Sequence, residues 1–162
     1  MPQSSLAQLI VPPRKLKEKV GSGGLDKSII VRAQHLLESN TIDFKPIGSH
    51  LLRALDQAIQ DVRSGKLRGK AALQNLLYPV MELKAQGTMF HYPLITDISD
   101  TLIHFLEART EINDDVLTLV GGYKMAATAI FSRGLKGSGG TAGNELRTAL
   151  TDAYNRFYKT IQ

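Results

Sequence analysis

The fold is decided by the stretch PIGSHLLRALDQAIQDVRSGKLRGKAALQNLLYPVMELKAQ, residues 46–86. Apolar residues recur every three or four positions on both sides of the break SGKLRG, which is the spacing that builds one face of an α-helix. A break this short joins antiparallel neighbours. The stretch therefore predicts a helical hairpin, with helices over 46–64 and 70–86. Pro46 suits a first-turn position, and Pro79 interrupts the second helical pattern.

The same periodicity continues on either side of this hairpin. It predicts further helices over 25–39, 93–109, 114 to about 135, and 142–161. Asn113 is the predicted N-cap of the fifth helix. No alternating strand pattern of useful length is present. The predicted fold class is all-α: an antiparallel four-helix bundle with extra N-terminal and C-terminal helices.

The length of the chain suits one domain, and we expect this domain to follow an extended arm. Residues 1–24 read as an extended basic arm, because Pro12 and Pro13 oppose a helix there. Residues 25–162 read as a single helical-bundle domain. The arm concentrates positive charge, and the segment 97–115 is mostly acidic, so docking of the arm on an acidic partner is one hypothesis.

Composition narrows the function classes. The 162 residues include no cysteine, which argues against disulfides and a zinc site. No apolar run approaches the roughly 18 residues that a membrane helix needs, and the N-terminus lacks the order of a secretory signal. Nucleic-acid binding is disfavoured because tryptophan is absent and no aromatic residues interleave the basic cluster. We expect a cytoplasmic protein without cofactor or metal.

One segment carries a motif, VMELKAQGTMFHYPLIT, residues 80–96. It resembles the active segment of bacterial histidine phosphotransfer (Hpt) domains. Those domains carry a histidine, a basic residue three positions on and a small residue four positions on. One branch reads roughly HDIKGQG, followed by a run similar to TFGYPLIT. In this chain Met81 stands at the histidine position, while Lys84 and Ala85 fill the basic and small positions. Three departures from that pattern are milder: Glu82 replaces aspartate, and Ala85 and His91 each replace glycine.

The resemblance implies a bundle with a docking face for the receiver domain of a response regulator. The implied partner-binding residues are Met81, Lys84, Ala85 and Gln86. A thioether cannot accept and hand on a phosphoryl group, so the family's phosphorelay chemistry does not carry over. The first hypothesis is a non-catalytic, Hpt-like adaptor of two-component signalling. The plainer alternative is that Met81 is a methionine at the boundary of the core.

Other residues support rival hypotheses. His50 repeats the phosphotransfer spacing, with Arg53 and Ala54 following it, and is an alternative phosphoacceptor. Asp56 and Gln60 form D-x-x-x-Q, the pattern of chemotaxis response-regulator phosphatases. In those enzymes the amide orients a water molecule, and the acid helps to position a lysine of the partner. A third hypothesis is a structural helical protein without a signalling partner, with a homodimer formed through the apolar stripe of the last helix.

Overall fold

A computed structural model of the chain describes residues 19, 24 and 26–160. The chain divides into two compact units, Met1–Ser39 and Asn40–Gln162. The described residues form six helices and no strand, which confirms the all-α class. Each helix begins within two residues of its predicted start: α1 Lys27–Glu38, α2 Lys45–Arg63, α3 Gly69–Gly87, α4 Pro93–Glu107, α5 Asp114–Arg133 and α6 Gly140–Thr160. The predicted basic arm lies outside the described residues, apart from Lys19 and Gly24.

The first unit contains α1. Asp26 caps this helix, since its carboxylate accepts a hydrogen bond from the Ser28 backbone N–H at 2.9 Å. No residue of α1 is buried. Its apolar face, predicted from the periodicity, is exposed at Ile29, Ile30, Leu36 and Leu37.

The second unit is built from the other five helices. Helix α2 packs against α3 and α5, and α4 also packs against α3 and α5. All five helices contribute residues to one buried core. Helix α6 packs against α4 and α5. The centre of the core is aliphatic and fully buried, and includes Leu55, Leu76, Val80, Leu83, Leu102, Val120 and Ile130. Helix α3 continues through Pro79, which is buried.

An aromatic cluster lies at one end of this core. Phe44, just before α2, stacks on Phe90 with ring centroids 4.7 Å apart, and meets the edge of Phe131 at 5.6 Å. Tyr92 also meets Phe131 edge to face at 5.2 Å. The Phe131 ring lies directly against the backbone of Gly48, where a Cβ atom would come within 2.5 Å of it. Glycine is therefore required there by the close approach of the ring.

Polar contacts connect the remaining helices. The hydroxyl groups of Ser99 in α4 and Tyr123 in α5 lie 2.6 Å apart in the core. Burial raises the pKa of the Tyr123 hydroxyl above its ordinary value, so the group stays neutral. Helix α6 is joined to α4 by an ion pair of Arg147 with Asp97 at 3.0 Å. None of the described helices has both the length and the apolar character needed to cross a bilayer.

The Gly48 contact leads to a prediction about stability. Gly48→Ala forces a methyl group into the Phe131 ring, and overpacking of a core costs about 1–3 kcal/mol. Gly121→Ala is the matched control, because a Cβ atom on this helical glycine meets nothing within 4 Å. Gly121→Ala should raise the free energy of unfolding by about 0.5–1 kcal/mol, because alanine loses less backbone entropy than glycine on folding. Denaturant unfolding of both variants checks this, and equal effects would contradict it.

Candidate functional site

The exposed side of α3 carries an apolar stripe. Tyr78 is 65% exposed and Met81 is 51% exposed, and Ala85 is also exposed. Spacings of three and four residues place them along one side of the helix. We call these three residues the Met81 face. Met81 is thus a surface residue of α3, whereas its neighbours Val80 and Leu83 fill the core.

Lys84 borders the Met81 face and is engaged in an ion pair. Its ammonium group lies 2.6 Å from the Asp100 carboxylate of α4, and His104 lies 3.6 Å from the same oxygen. The hydrogen bond from Lys84 lowers the pKa of Asp100 below its ordinary value. Both partners of the pair are more than 40% exposed, 41% for Lys84 and 44% for Asp100. Ion pairs this exposed contribute about 0–1 kcal/mol, so Lys84 can exchange Asp100 for another anion at small cost.

Gln86 lies apart from the other predicted docking residues. At about 100° per residue it is turned roughly 140° from Met81 around the helix axis. It is half-buried, and its amide donates a hydrogen bond to the Glu82 carboxylate at 2.9 Å. The structure therefore brings Met81, Lys84 and Ala85 to one side of α3 and places Gln86 on another.

The turn after α3 is fixed by a small hydrogen-bond network. The Thr96 hydroxyl donates to the Lys84 carbonyl oxygen at 3.1 Å and accepts from the Thr88 backbone N–H at 3.0 Å. Gly87 lies in the centre of this network, where a Cβ atom would come within 2.6 Å of the Thr96 hydroxyl oxygen. The carboxyl end of α3 is thus tied directly to the first turn of α4.

His91 occupies the same turn as a structural residue. Its backbone φ is 67°, in the left-handed region that few residues other than glycine adopt. A ring nitrogen lies 3.2 Å from the Asn40 carbonyl oxygen, and the His91 carbonyl accepts from the Gly137 N–H at 3.0 Å. The turn is therefore connected to the segments that precede α2 and follow α5.

The rival site residues all lie on α2. His50 and Gln60 are exposed. Asp56 is half-buried and forms an ion pair with Lys124 of α5. An acid that positions a partner's lysine would first have to release Lys124. Phosphatase activity through Asp56 and Gln60, and phosphotransfer through His50, stay predictions.

Two features of the candidate sites were not predicted from the sequence: the exposed Tyr78 side chain, and the ion pair of Asp56 with Lys124. Tyr78 lies outside the motif, although its position three residues before Met81 predicts that both side chains lie on one side of the helix. The pairing of Asp56 with Lys124 joins residues 68 positions apart, and no local pattern encodes such a contact.

The chain matches no protein-family model, no curated protein and no solved structure.

The Lys84 ion pair leads to a prediction about titration. Lys84→Met removes the main cause of the lowered pKa of Asp100, so that pKa should rise toward its ordinary value. A depressed carboxyl pKa stabilises the fold above the pKa of the unfolded chain, and this contribution is lost as pH falls through the folded value. Carboxyl-carbon NMR titration measures the change.

Lys66→Met is the matched control for this titration. Lys66 lowers the pKa of Asp61 through an ion pair at 3.1 Å, in which Lys66 is 69% and Asp61 18% exposed. Its removal should raise the pKa of Asp61 and leave that of Asp100 in place. A pKa of Asp100 that did not move in Lys84→Met would contradict the assigned contact.

Proposed function

We propose that the chain is a non-catalytic, Hpt-like adaptor that binds the receiver domain of a response regulator. The observation that carries this proposal is the exposure of Met81, 51%, at the position where the resemblance places the phosphoacceptor histidine. A methionine recruited only for packing would be buried among the core residues. An exposed methionine beside an exposed tyrosine, rimmed by polar groups, matches the composition of protein docking surfaces.

The arrangement of helices supports the Hpt-like part of the proposal. In our interpretation, α2 to α5 form the antiparallel four-helix bundle, with α1 and α6 as additions at the two ends. The support is the packing order, in which each of the four helices contacts the next and α2 also contacts α5. The short connections between consecutive helices agree with this interpretation.

The turn after α3 supplies a second line of support. In the motif that this segment resembles, glycine stands where this chain has His91. The backbone φ of His91 is 67°, a conformation that glycine adopts without steric cost. His91 therefore replaces the glycine of the motif at a position whose backbone conformation is one that glycine adopts readily. The contact of the His91 ring with the Asn40 carbonyl oxygen helps to hold it.

In this proposal, docking buries the apolar side chains of the Met81 face, and Lys84 changes its ion-pair partner. Tyr78, Met81 and Ala85 would be covered by the receiver domain, and the small side chain of Ala85 leaves room for its approach. Lys84 would turn from Asp100 to an acidic group of the partner. No phosphoryl group is transferred, because the thioether of Met81 is not a nucleophile for that chemistry.

The first test of the proposal is a charge placed in the Met81 face. Met81→Asp should weaken binding to a purified receiver domain at least tenfold, since burial of a methionine contributes about 1.5–3 kcal/mol. The matched control is Met125→Asp, because Met125 is 68% exposed on α5. Titration of a panel of receiver domains measures the affinities. Absence of binding across the panel, or equal losses in the two variants, would refute the docking surface.

The second test concerns Lys84. Lys84→Glu should weaken receiver binding because it places a negative charge where the proposal requires a positive one. Lys66→Glu is the control, since Lys66 is an exposed lysine that forms an ion pair outside the Met81 face. If Lys84→Glu left the affinity unchanged, the contact assigned to Lys84 would be wrong even if Met81→Asp behaved as expected.

The third test asks whether the missing nucleophile can be restored. Met81→His places an imidazole on the exposed side of α3, with Lys84 one turn away to steady a phosphoryl group. Incubation with a phosphorylated receiver domain should then give acid-labile phosphate on the substituted chain and none on the wild type. A substituted chain that is folded, binds the receiver and takes up no phosphate would contradict the resemblance at this site.

A further inference from the structure

A groove lies between α2 and α5, away from the residues of the Met81 face. It is a groove of about 410 Å³, a volume within the range of small-ligand sites. Leu52 and Phe131 line its apolar part and are 7% and 4% exposed. None of the residues that line it belongs to the Met81 face.

The groove carries an excess of positive charge. Lys45, Arg53 and Lys124 line it, against the single carboxylate of Asp56. Asp56 pairs with Lys124. Within the part of the chain that the structure describes, the charged ends of Lys45 and Arg53 have no ion-pair partner. Two positive charges are therefore left uncompensated beside an apolar surface.

The hydrogen-bond donors that α2 contributes to the groove lie in a line along the helix. Lys45, Ser49 and Arg53 follow one another at intervals of four residues, which places them on one side of the helix. Ser49 contributes a hydroxyl group to the lining, and a hydroxyl can donate one hydrogen bond to a ligand. The facing hydroxyl of Thr128 is already used, because it donates to the Lys124 carbonyl oxygen at 2.8 Å. Three of the donors that line the groove, Lys45, Ser49 and Arg53, thus belong to α2.

We propose that this groove binds a small phosphomonoester. Two uncompensated cations match the charge of a phosphate dianion, and the planar fork of Arg53 fits two phosphate oxygens. Lys45 adds a second cation, and Ser49 donates a hydrogen bond. The organic part of the ester packs on Leu52 and Phe131. The site is independent of receiver binding, since it uses different helices from the Met81 face.

Titration of the full chain with phenyl phosphate and with inorganic phosphate tests the ligand class. Both should cause saturable NMR shifts at groove residues, and phenyl phosphate should bind about tenfold more tightly, because its ring covers apolar surface. Phenol, which has the ring without the charge, should not saturate the site. Equal affinities for the two phosphates, or no saturable shift with either, would overturn the proposal.

Variants of the cationic residues test the location. Arg53→Gln and Lys45→Gln should each weaken phenyl phosphate binding about tenfold or more, as expected for loss of a charge-assisted contact. Arg63→Gln is the matched control, because Arg63 is exposed on the same helix and does not line the groove. Circular dichroism confirms that each variant is folded. An equal loss in Arg63→Gln would mean general charge attraction and would refute a site in the groove.

Met81→Asp separates this proposal from the adaptor function. It should reduce receiver binding and leave phenyl phosphate binding unchanged. A loss of phenyl phosphate binding in Met81→Asp would contradict the independence of the two surfaces.

Discussion

The close contact between the Phe131 ring and the Gly48 backbone is the constraint on which the second unit depends. Because a Cβ atom at Gly48 would lie 2.5 Å from the ring, the amino end of α2 can approach the carboxyl end of α5 only if residue 48 has no side chain. Phe44 and Tyr92 then pack on the other sides of Phe131. One aromatic ring thereby connects α2, the turn before α4, and α5.

The same cluster fixes the surroundings of the Met81 face. Phe90 and Tyr92 belong to the turn that ends α3, and their rings are held by the cluster. From the other side, the Thr96 hydroxyl binds the Lys84 carbonyl oxygen. The connection between α3 and α4 is therefore fixed by the aromatic cluster and by the Thr96 hydrogen bond. The last turns of α3 are held in place with it. An apolar stripe on a helix fixed in this way is presented in one orientation, which would lower the entropic cost of the docking that we propose for it.

The sequence predicted the helices well because their signals are local. Apolar spacing, the N-cap at Asn113 and the prolines at helix starts act within a few residues, and all six predicted helices are present. The candidate sites were harder to predict, because they depend on contacts between helices. Nothing local to Lys84 indicates that Asp100 will be its partner, and nothing local to Asp56 indicates Lys124. The groove between α2 and α5 arises from the same long-range packing, so composition and motifs did not predict it.

The order in which the helices pack has a consequence for how the chain reaches its native state. Among the described helices from α2 onward, each packs against the one that follows it in the sequence. Two pairs of these helices, α2 with α5 and α4 with α6, join helices that are not consecutive. Chains dominated by local contacts fold on the microsecond to millisecond scale. The α2–α3 hairpin can form before the rest of the chain is available, and each later helix adds to a surface that already exists. The pairing of α2 with α5, through Gly48 and Phe131, is the helix–helix contact of longest sequence separation among the described helices.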